Sequence, residues 1–175
     1  MEPWGARLYG DPCTRCAWSW SGDAAADIAY VREVPARYAR LLTGRAGTER
    51  HPDLGWSVTG YVCHVGDNLR QWAERVAGVL RGGDPRVAGY DPDALAAARG
   101  YERTSLPAAL WSLERSAAAW VQVLGEAVAA GVVLQHATRG PQPAADVAGN
   151  NAHDAHHHEW DVRRSLAASA APPEV

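Results

Sequence analysis

The sequence predicts an all-α protein: a four-helix bundle that follows a short irregular N-terminal appendage. Four long segments carry apolar residues three and four positions apart, which is the spacing of one helix face. Glycine, proline and short polar residues separate these segments. The connection between the second and third helices is longer than an ordinary turn, so it can cross the bundle from one end to the other. We assign residues 1–22 to the appendage and residues 23–175 to the bundle.

The first predicted helix covers residues 23–42, and Ser21 or Asp23 can cap its start. Pro35 lies inside it, and proline removes one helical hydrogen bond and crowds the preceding turn, so we expect a kink or a break there. The second predicted helix covers residues 57–81, with a serine at its start and a Gly-Gly-Asp-Pro sequence at its end.

The third predicted helix covers residues 105–130, and the long connection before it contains a short helix. Residues 131–145 are predicted to be a loop that carries two polar residues of interest, His136 and Arg139. The fourth helix covers residues 144–168 and closes the bundle.

The fourth helix contains the most distinctive motif of the chain, NNAHDAHHHEWDVRRSL. His153 and His157 are four residues apart, so they lie one turn apart on one face and can hold a metal ion together. His156 and His158 point about 100° to either side of His157, and Asp154 also turns away from that face. The useful pair on this helix is therefore His153 and His157.

A third ligand is available on the second helix. His64 lies in an amphipathic pattern, where a single histidine is more often a hydrogen-bonded core residue. Together with the later H-x-x-x-H motif, it becomes the natural third ligand of a site between facing helices. We predict a divalent metal site formed by His64, His153 and His157. Zinc suits three imidazoles, and nickel, iron and manganese are also compatible.

Three neutral imidazoles would leave the ion its full positive charge and one open position. A water or a thiolate in that position would be the catalytic group, because the ion lowers the pKa of what it binds. Asn68 or Asp67 can hold a ligand imidazole, and Asp161 can orient His157. Arg139 can bind an anionic group of a substrate or cofactor. The alternative for Asp67 and Arg139 is that each is a solvent-exposed charged side chain without a role in the site.

Cys13 and Cys16 form a C-x-x-C pair in the appendage. Two thiolates at this spacing can form half of a tetrahedral zinc site, or can cycle between a dithiol and a disulfide. The sequence has no second C-x-x-C pair that would complete a zinc site. A structural or incidental role for Cys13 and Cys16 is therefore as well supported as the binding of a second metal ion. Cys63 is interpreted as a small buried hydrophobe.

Composition narrows the class of function. The chain has 175 residues, of which 47% are hydrophobic, and this suits one domain with a sizeable core. The net charge of -3 and the absence of a long apolar run argue against nucleic acid and membrane partners. The N-terminal residues lack the pattern of a signal peptide, which predicts a cytoplasmic protein. A small-molecule substrate is the expected partner, and a homodimer is compatible with the sequence.

Two segments, WSVTGYVCHVGDNLR and AHDAHHHEWDVRRSL, resemble the ligand-bearing helices of the DinB/YfiT superfamily. This superfamily includes mycothiol-dependent maleylpyruvate isomerase and bacillithiol transferases. The resemblance covers about residues 23–168 and implies a four-helix bundle, a long crossover between its second and third helices, and a three-histidine metal site. On this resemblance, His64, His153 and His157 take the places of the three ligands, whereas the appendage cysteines match no family role.

The resemblance implies a divalent-metal-dependent enzyme. It would activate a low-molecular-weight thiol for transfer to, or isomerisation of, an electrophilic small molecule. The chain contains no Lys and no Phe, whose codons are AT-rich, and the high-GC genome that this suggests points to mycothiol as the thiol. A hydrolase in which the metal activates water, and a non-catalytic metal-binding or interaction module, are the alternatives, since one fold hosts many functions.

Overall fold

The computed structural model describes residues 1–20 and 22–170. Its elements follow the chain in this order: α1 (Ala6–Tyr9), α2 (Ala24–Leu41), α3 (Val58–Leu80), β1 (Arg86–Val87), α4 (Pro92–Arg99), a 3₁₀ turn (Tyr101–Arg103), α5 (Leu106–Ala129), β2 (Val133–His136), β3 (Gly140–Pro143) and α6 (Ala144–Ala170). The long helices α2, α3, α5 and α6 pack around one apolar core, which confirms the predicted all-α four-helix bundle. Within the described residues, no helix combines the length and the apolar character that a membrane span needs.

Helix α2 begins at the predicted position. The Asp23 carboxylate accepts hydrogen bonds from the backbone N–H groups of Ala25 and Ala26 at 2.9 and 3.2 Å. Ser21, the other candidate cap, lies outside the described residues. The helix continues without interruption through Pro35, so the break considered there is absent. Proline removes one helical hydrogen bond, and burial of the apolar stripe of this helix offsets the free-energy cost of that loss. The stripe is Ile28, Val31, Val34 and Tyr38.

Helices α3 and α5 form the most extensive helix pair of the bundle. Ser57 and Ser105 cap them, and each accepts a hydrogen bond from a backbone N–H of the first turn. At Gly66 the two helices come close together, since a Cβ there would lie 3.4 Å from the Leu113 Cα. The buried apolar line is Val58, Val62, Val65, Leu69, Trp72 and Val76 on α3, and Leu106, Leu113, Ala117, Trp120 and Leu124 on α5.

The segment predicted to be a loop before the last helix forms a β-hairpin instead. Strands β2 and β3 pair antiparallel, and β1 from the crossover pairs with β2 in parallel. The loop prediction was wrong. Strand β2 has only four residues of alternating burial, and its partner GPQP is rich in proline, so neither gives a strong strand signal in the sequence. The hairpin buries Leu134 in the core and places His136 and Arg139 in the wall of a cavity between the hairpin, α3 and α6.

The N-terminal segment lies along α6. The rings of Tyr9 and Trp20 pack on the His153 ring at centroid distances of 4.6 and 4.7 Å. The His156 Nε2 atom lies 3.0 Å from the carbonyl oxygen of Cys16. Residues 1–20 therefore cover one face of the last helix.

Polar contacts to the neighbouring helices fix the rotation of α6 about its axis. The Tyr38 hydroxyl of α2 donates to the carbonyl oxygen of Ala155 at 2.9 Å. The Trp120 Nε1 of α5 donates to Asn151 Oδ1 at 2.8 Å. Both contacts are buried, where a polar group left without a partner costs about 1–3 kcal/mol. As a result, α6 presents a fixed face to each neighbour.

The buried carboxylate of Asp27 provides a pH test of the packing between α2 and α6. A Cβ on Gly149 of α6 would come within 3.2 Å of its Oδ2 atom. Burial, reinforced by the negative charge of Asp23, raises the pKa of Asp27 to about 6. A carboxyl with a raised folded-state pKa opposes folding when it is ionised. The destabilisation of the folded state is at its full size above about pH 6. It disappears as the pH falls toward ~4, which is the pKa of an aspartate in the unfolded chain.

We expect Asp27→Asn to raise the free energy of unfolding by about 1–2 kcal/mol at pH 7.5 and to lose this advantage near pH 4.5. Urea denaturation of both proteins at each pH measures the difference. The exposed Glu114→Gln serves as the control and should show no such dependence. A variant that is less stable than wild type at pH 7.5 would contradict the argument, because the ionised carboxylate would then be stabilising.

Candidate metal centre and its pocket

Three side chains of metal-ligating type converge between α3 and α6. His64 comes from α3, and Asp154 and His158 lie one turn apart on α6. The Asp154 Oδ1 atom lies 3.7 Å from His64 Nε2 and 3.5 Å from His158 Nε2. One ligand atom from each residue lies within 4.8 Å of the others. We call these three residues the interhelical set. Two imidazoles and a carboxylate form a donor set that divalent transition metals accept.

A second group joins the N-terminal segment to α6. Ligand atoms of Cys13, Cys16, His153 and His157 also lie within 4.8 Å of one another, and we call these residues the appendage set. The Cys13 Sγ atom is 3.8 Å from His157 Nδ1. Both cysteines are free thiols.

The structure does not bring the three predicted ligands into one group. His64 lies with Asp154 and His158, whereas His153 and His157 face the N-terminal cysteines. Residues 153 and 157 have the same spacing as residues 154 and 158, and successive helix positions differ by about 100° around the axis. The sequence therefore contains two equivalent pairs. The spacing of Asp154 and His158, which the sequence reasoning placed off the ligand face, was the signal that could have identified the interhelical set.

Asn68 holds the carboxylate of the interhelical set. Its Nδ2 donates to Asp154 Oδ2 at 2.8 Å, and the Tyr90 hydroxyl donates to Asn68 Oδ1 at 3.3 Å. Asp67, the alternative considered from the sequence, faces the crossover, where the Tyr101 hydroxyl donates to its Oδ2 at 2.8 Å. Asp67 therefore anchors the crossover to α3. Asn68 supports a side chain of metal-ligating type, but that side chain is the Asp154 carboxylate and not the expected imidazole.

Asp161 lies between two histidines of α6. Its Oδ2 atom is 3.0 Å from His158 Nδ1 and 4.0 Å from His157 Nε2. The sequence predicted that Asp161 orients His157, but its closer contact is with His158. That contact fixes the His158 ring and leaves Nε2 directed toward Asp154.

Asp154 and His158 form a charged pair at neutral pH. Burial alone would raise the pKa of the Asp154 carboxyl, but the His158 and His64 imidazoles hold it well below its usual range. Burial alone would lower the pKa of His158, but Asp154 and Asp161 raise it to about 9. A divalent cation would replace the proton that this pair holds. The His64 Nδ1 atom is buried and has no hydrogen-bond partner within the described residues, and the donor set as a whole fits a divalent cation.

The appendage set has a different protonation pattern. Burial, together with the neighbouring His157, lowers the pKa of His153 to about 4, so this imidazole is neutral at pH 7. Burial alone would raise the pKa of the Cys13 thiol, but backbone N–H groups of Cys16 and Arg15 lower it. Burial raises the pKa of the Cys16 thiol to about 11.

A cavity of about 360 Å³ opens above the interhelical set, which forms part of its lining. This volume is in the range of sites for small molecules. Aromatic side chains from the N-terminal segment, the loop before α3, α3 itself and the crossover form much of its wall. They are Trp4, Tyr9, Trp56, Trp72 and Tyr90.

Two guanidinium groups also line this cavity. Arg75 lies over the rings of Trp72 and Tyr90 at 5.1 and 5.7 Å, and burial lowers its pKa. Arg139 extends from the hairpin, and its Nε atom is buried without a hydrogen-bond partner within the described residues. Burial and these two arginines also lower the pKa of His136. The cavity wall therefore carries positive charge suited to an anionic ligand.

The long crossover and the ligand-type residues between α3 and α6 define the class of protein: a four-helix bundle with a candidate metal centre between two of its helices. A family model for the DinB superfamily matches residues 27–160, and the chain belongs to that superfamily. A comparison with curated proteins found no match.

The fold is also similar to that of YfiT from Bacillus subtilis. This solved structure is described as a "probable metal-dependent hydrolase with an unusual four-helix bundle topology". The TM-score is 0.71 at 17% sequence identity, and the alignment covers 86% of this chain and 90% of YfiT. At this identity the likeness shows a shared fold.

Removal of Asn68 should weaken metal binding at the interhelical set. We expect Asn68→Ala to lower the affinity for Mn²⁺ by about 10- to 100-fold, because the Asp154 carboxylate loses the group that orients it. Mn²⁺ is the suitable probe because it favours oxygen and nitrogen donors over the thiolates of the appendage set. Isothermal titration calorimetry measures the affinity, and Gln122→Ala on the exposed face of α5 is the control. An unchanged affinity in a folded Asn68→Ala protein would contradict this role.

Proposed function

We propose that the protein is a divalent-metal-dependent enzyme that acts on an anionic, electrophilic small molecule with a low-molecular-weight thiol as co-substrate. One observation supports this proposal above the others: the interhelical set lines a cavity whose wall also carries Arg75 and Arg139. Three protein ligands beside an open cavity leave a coordination position for a reactant, whereas structural metal sites are closed by protein ligands.

The residues of the interhelical set have separate tasks in this proposal. His64, Asp154 and His158 would hold the ion. Asn68 fixes the orientation of Asp154, and Asp161 fixes that of His158. When bound, a divalent ion would supply Lewis acidity and would lower the pKa of a thiol or water entering the cavity. Zinc is our first choice, and iron, nickel and manganese also suit imidazole and carboxylate donors.

The arginines would bind the anionic group of the substrate. Arg139 has a buried nitrogen that is available for a forked, charge-assisted contact. Arg75 is held in place by the rings of Trp72 and Tyr90. Fixing one end of the substrate in this way positions its electrophilic carbon near the interhelical set, and the aromatic wall keeps bulk water away from it.

We assign mycothiol as the thiol, for transfer to or isomerisation of the substrate. Membership of the DinB superfamily supports this choice, as does the absence of Lys and Phe that suggests a high-GC genome. The proposal also requires the predicted cytoplasmic location, where thiols remain reduced.

Hydrolysis is the second candidate. The description of YfiT as a probable metal-dependent hydrolase favours it. The same ligand set would activate water by the same lowering of pKa.

Product formation from mycothiol and a panel of electrophilic carboxylates tests the first candidate. We expect thiol-dependent conjugation or isomerisation by the metal-loaded chain, followed by mass spectrometry. In Asp154→Asn and His158→Gln the rate should fall by roughly 100-fold or more, because loss of a ligand exceeds the effect of losing an outer contact. His51→Gln, in the loop before α3, is the control and should keep the wild-type rate.

The remaining outcomes of this experiment are distinct. Thiol-independent cleavage of carboxylate esters, lost in the same two variants, would assign the hydrolase. Tight metal binding without turnover of either kind would reject both enzymes and leave a metal-binding module.

Arg139→Gln tests the recognition of the anionic group. We expect KM for an anionic electrophile to rise by about tenfold or more with little change in kcat, because the lost contact is made equally in the ground and transition states. An uncharged amide of the same electrophile is the control, and its KM should not change. Initial-rate kinetics separate the two parameters, and equal effects on both substrates would refute charge recognition by Arg139.

A further inference from the structure

We propose that Cys13, Cys16, His153 and His157 form a closed zinc site that fastens the N-terminal segment to α6. One ligand atom from each residue lies within 4.8 Å of the others, and Cys13 Sγ lies 3.8 Å from His157 Nδ1. At the usual Zn–S and Zn–N bond lengths, the edges of a tetrahedral site are about 3.3–3.8 Å long. The four atoms therefore need only a small contraction to surround one ion.

The two halves of the set are local units suited to zinc. The C-x-x-C half lies in a tight turn in which the Ala17 N–H donates to the Cys13 carbonyl oxygen at 2.9 Å. The H-x-x-x-H half lies on a helix, where residues four apart share a face. Two thiolates and two imidazoles are a common donor set of structural zinc.

Burial indicates a structural site. The exposed fractions of Cys13, Cys16 and His153 are 3%, 8% and 3%. The His153 Nε2 atom has no hydrogen-bond partner within the described residues, although it is buried under the rings of Tyr9 and Trp20. Such an unpaired group is unfavourable, and coordination to an ion would satisfy it. Because four protein ligands complete a tetrahedron, the site has no position for a substrate.

The zinc site would shape the cavity above the interhelical set. Trp4, Leu8 and Tyr9 of the N-terminal segment line that cavity, and the Tyr9 ring packs on His153. The N-terminal segment includes a helix of only four residues, so it has little regular structure of its own to hold this wall. An ion bound by both the turn and α6 would hold it instead.

Cobalt titration of the full chain, purified without metal under reducing conditions, tests the proposal. Co²⁺ bound by two thiolates gives a sulfur-to-metal charge-transfer band in the near ultraviolet, and the interhelical set has no sulfur that could produce it. We expect wild type to show the band and to lose it when zinc is added. Replacement of both thiols, in Cys13→Ser/Cys16→Ser, should abolish the band and lower the zinc content by one equivalent. Cys63→Ser, which changes the third free thiol, should keep both.

Alkylation of the wild-type chain provides a second test that requires no variant to fold. Zinc should slow the reaction of Cys13 and Cys16 with iodoacetamide by about tenfold or more, because both sulfur atoms would be bound to the ion in a buried site that four protein ligands close to the reagent. EDTA should remove this protection, while the reactivity of Cys63 stays constant. The absence of the cobalt band together with equal alkylation rates with and without zinc would overturn the proposal. Neither readout depends on enzymatic activity, so the proposed function can fail while the zinc site stands.

Discussion

Helix α6 carries two pairs of ligand-type residues with the same spacing on faces about 100° apart. The rotation of this helix about its axis decides which pair faces α3. Buried hydrogen bonds from Tyr38 and Trp120 fix that rotation. Arg37 of α2 adds two contacts, at 2.9 and 3.2 Å, to the buried carboxylate of Glu159. A rotation by one residue would leave these groups unpaired at about 1–3 kcal/mol each, so the positions of both candidate metal sets depend on this packing.

The two sets share one supporting carboxylate. Asp161 lies 3.0 Å from His158 of the interhelical set and 4.0 Å from His157 of the appendage set. Both imidazoles face the same Oδ2 atom, and the hydrogen bond is made with His158. Asp161 therefore lies next to one histidine of each set. The N-terminal segment supplies a second link, since it carries Cys13 and Cys16 and also lines the cavity.

The helices could be predicted because each has an apolar stripe and a capping residue that act locally, as Ser57 and Ser105 do. The hairpin could not, because its strands are short and its stability comes from Leu134 reaching a core that other segments build. The sequence could predict only part of each ligand set. Helical spacing identifies which residues share a face, but not which neighbouring segment that face contacts. Cys13 and His157 lie 144 positions apart, and no local pattern connects a C-x-x-C to an H-x-x-x-H at that separation.

With the interhelical set as the ligands, Asp154 would give a bound ion a different charge from that of the predicted three-histidine site. Three neutral imidazoles would leave a divalent ion with a net charge of about +2, whereas Asp154 reduces it to about +1. A smaller charge attracts an anionic substrate less strongly and also lowers the pKa of a bound reactant less. Arg75 and Arg139 place two positive charges on the cavity wall, where they can attract the anion without occupying a coordination position. In the proposed function, substrate capture would thereby be separated from activation of the thiol or water, because a carboxylate held by the arginines would not compete with the nucleophile for the ion.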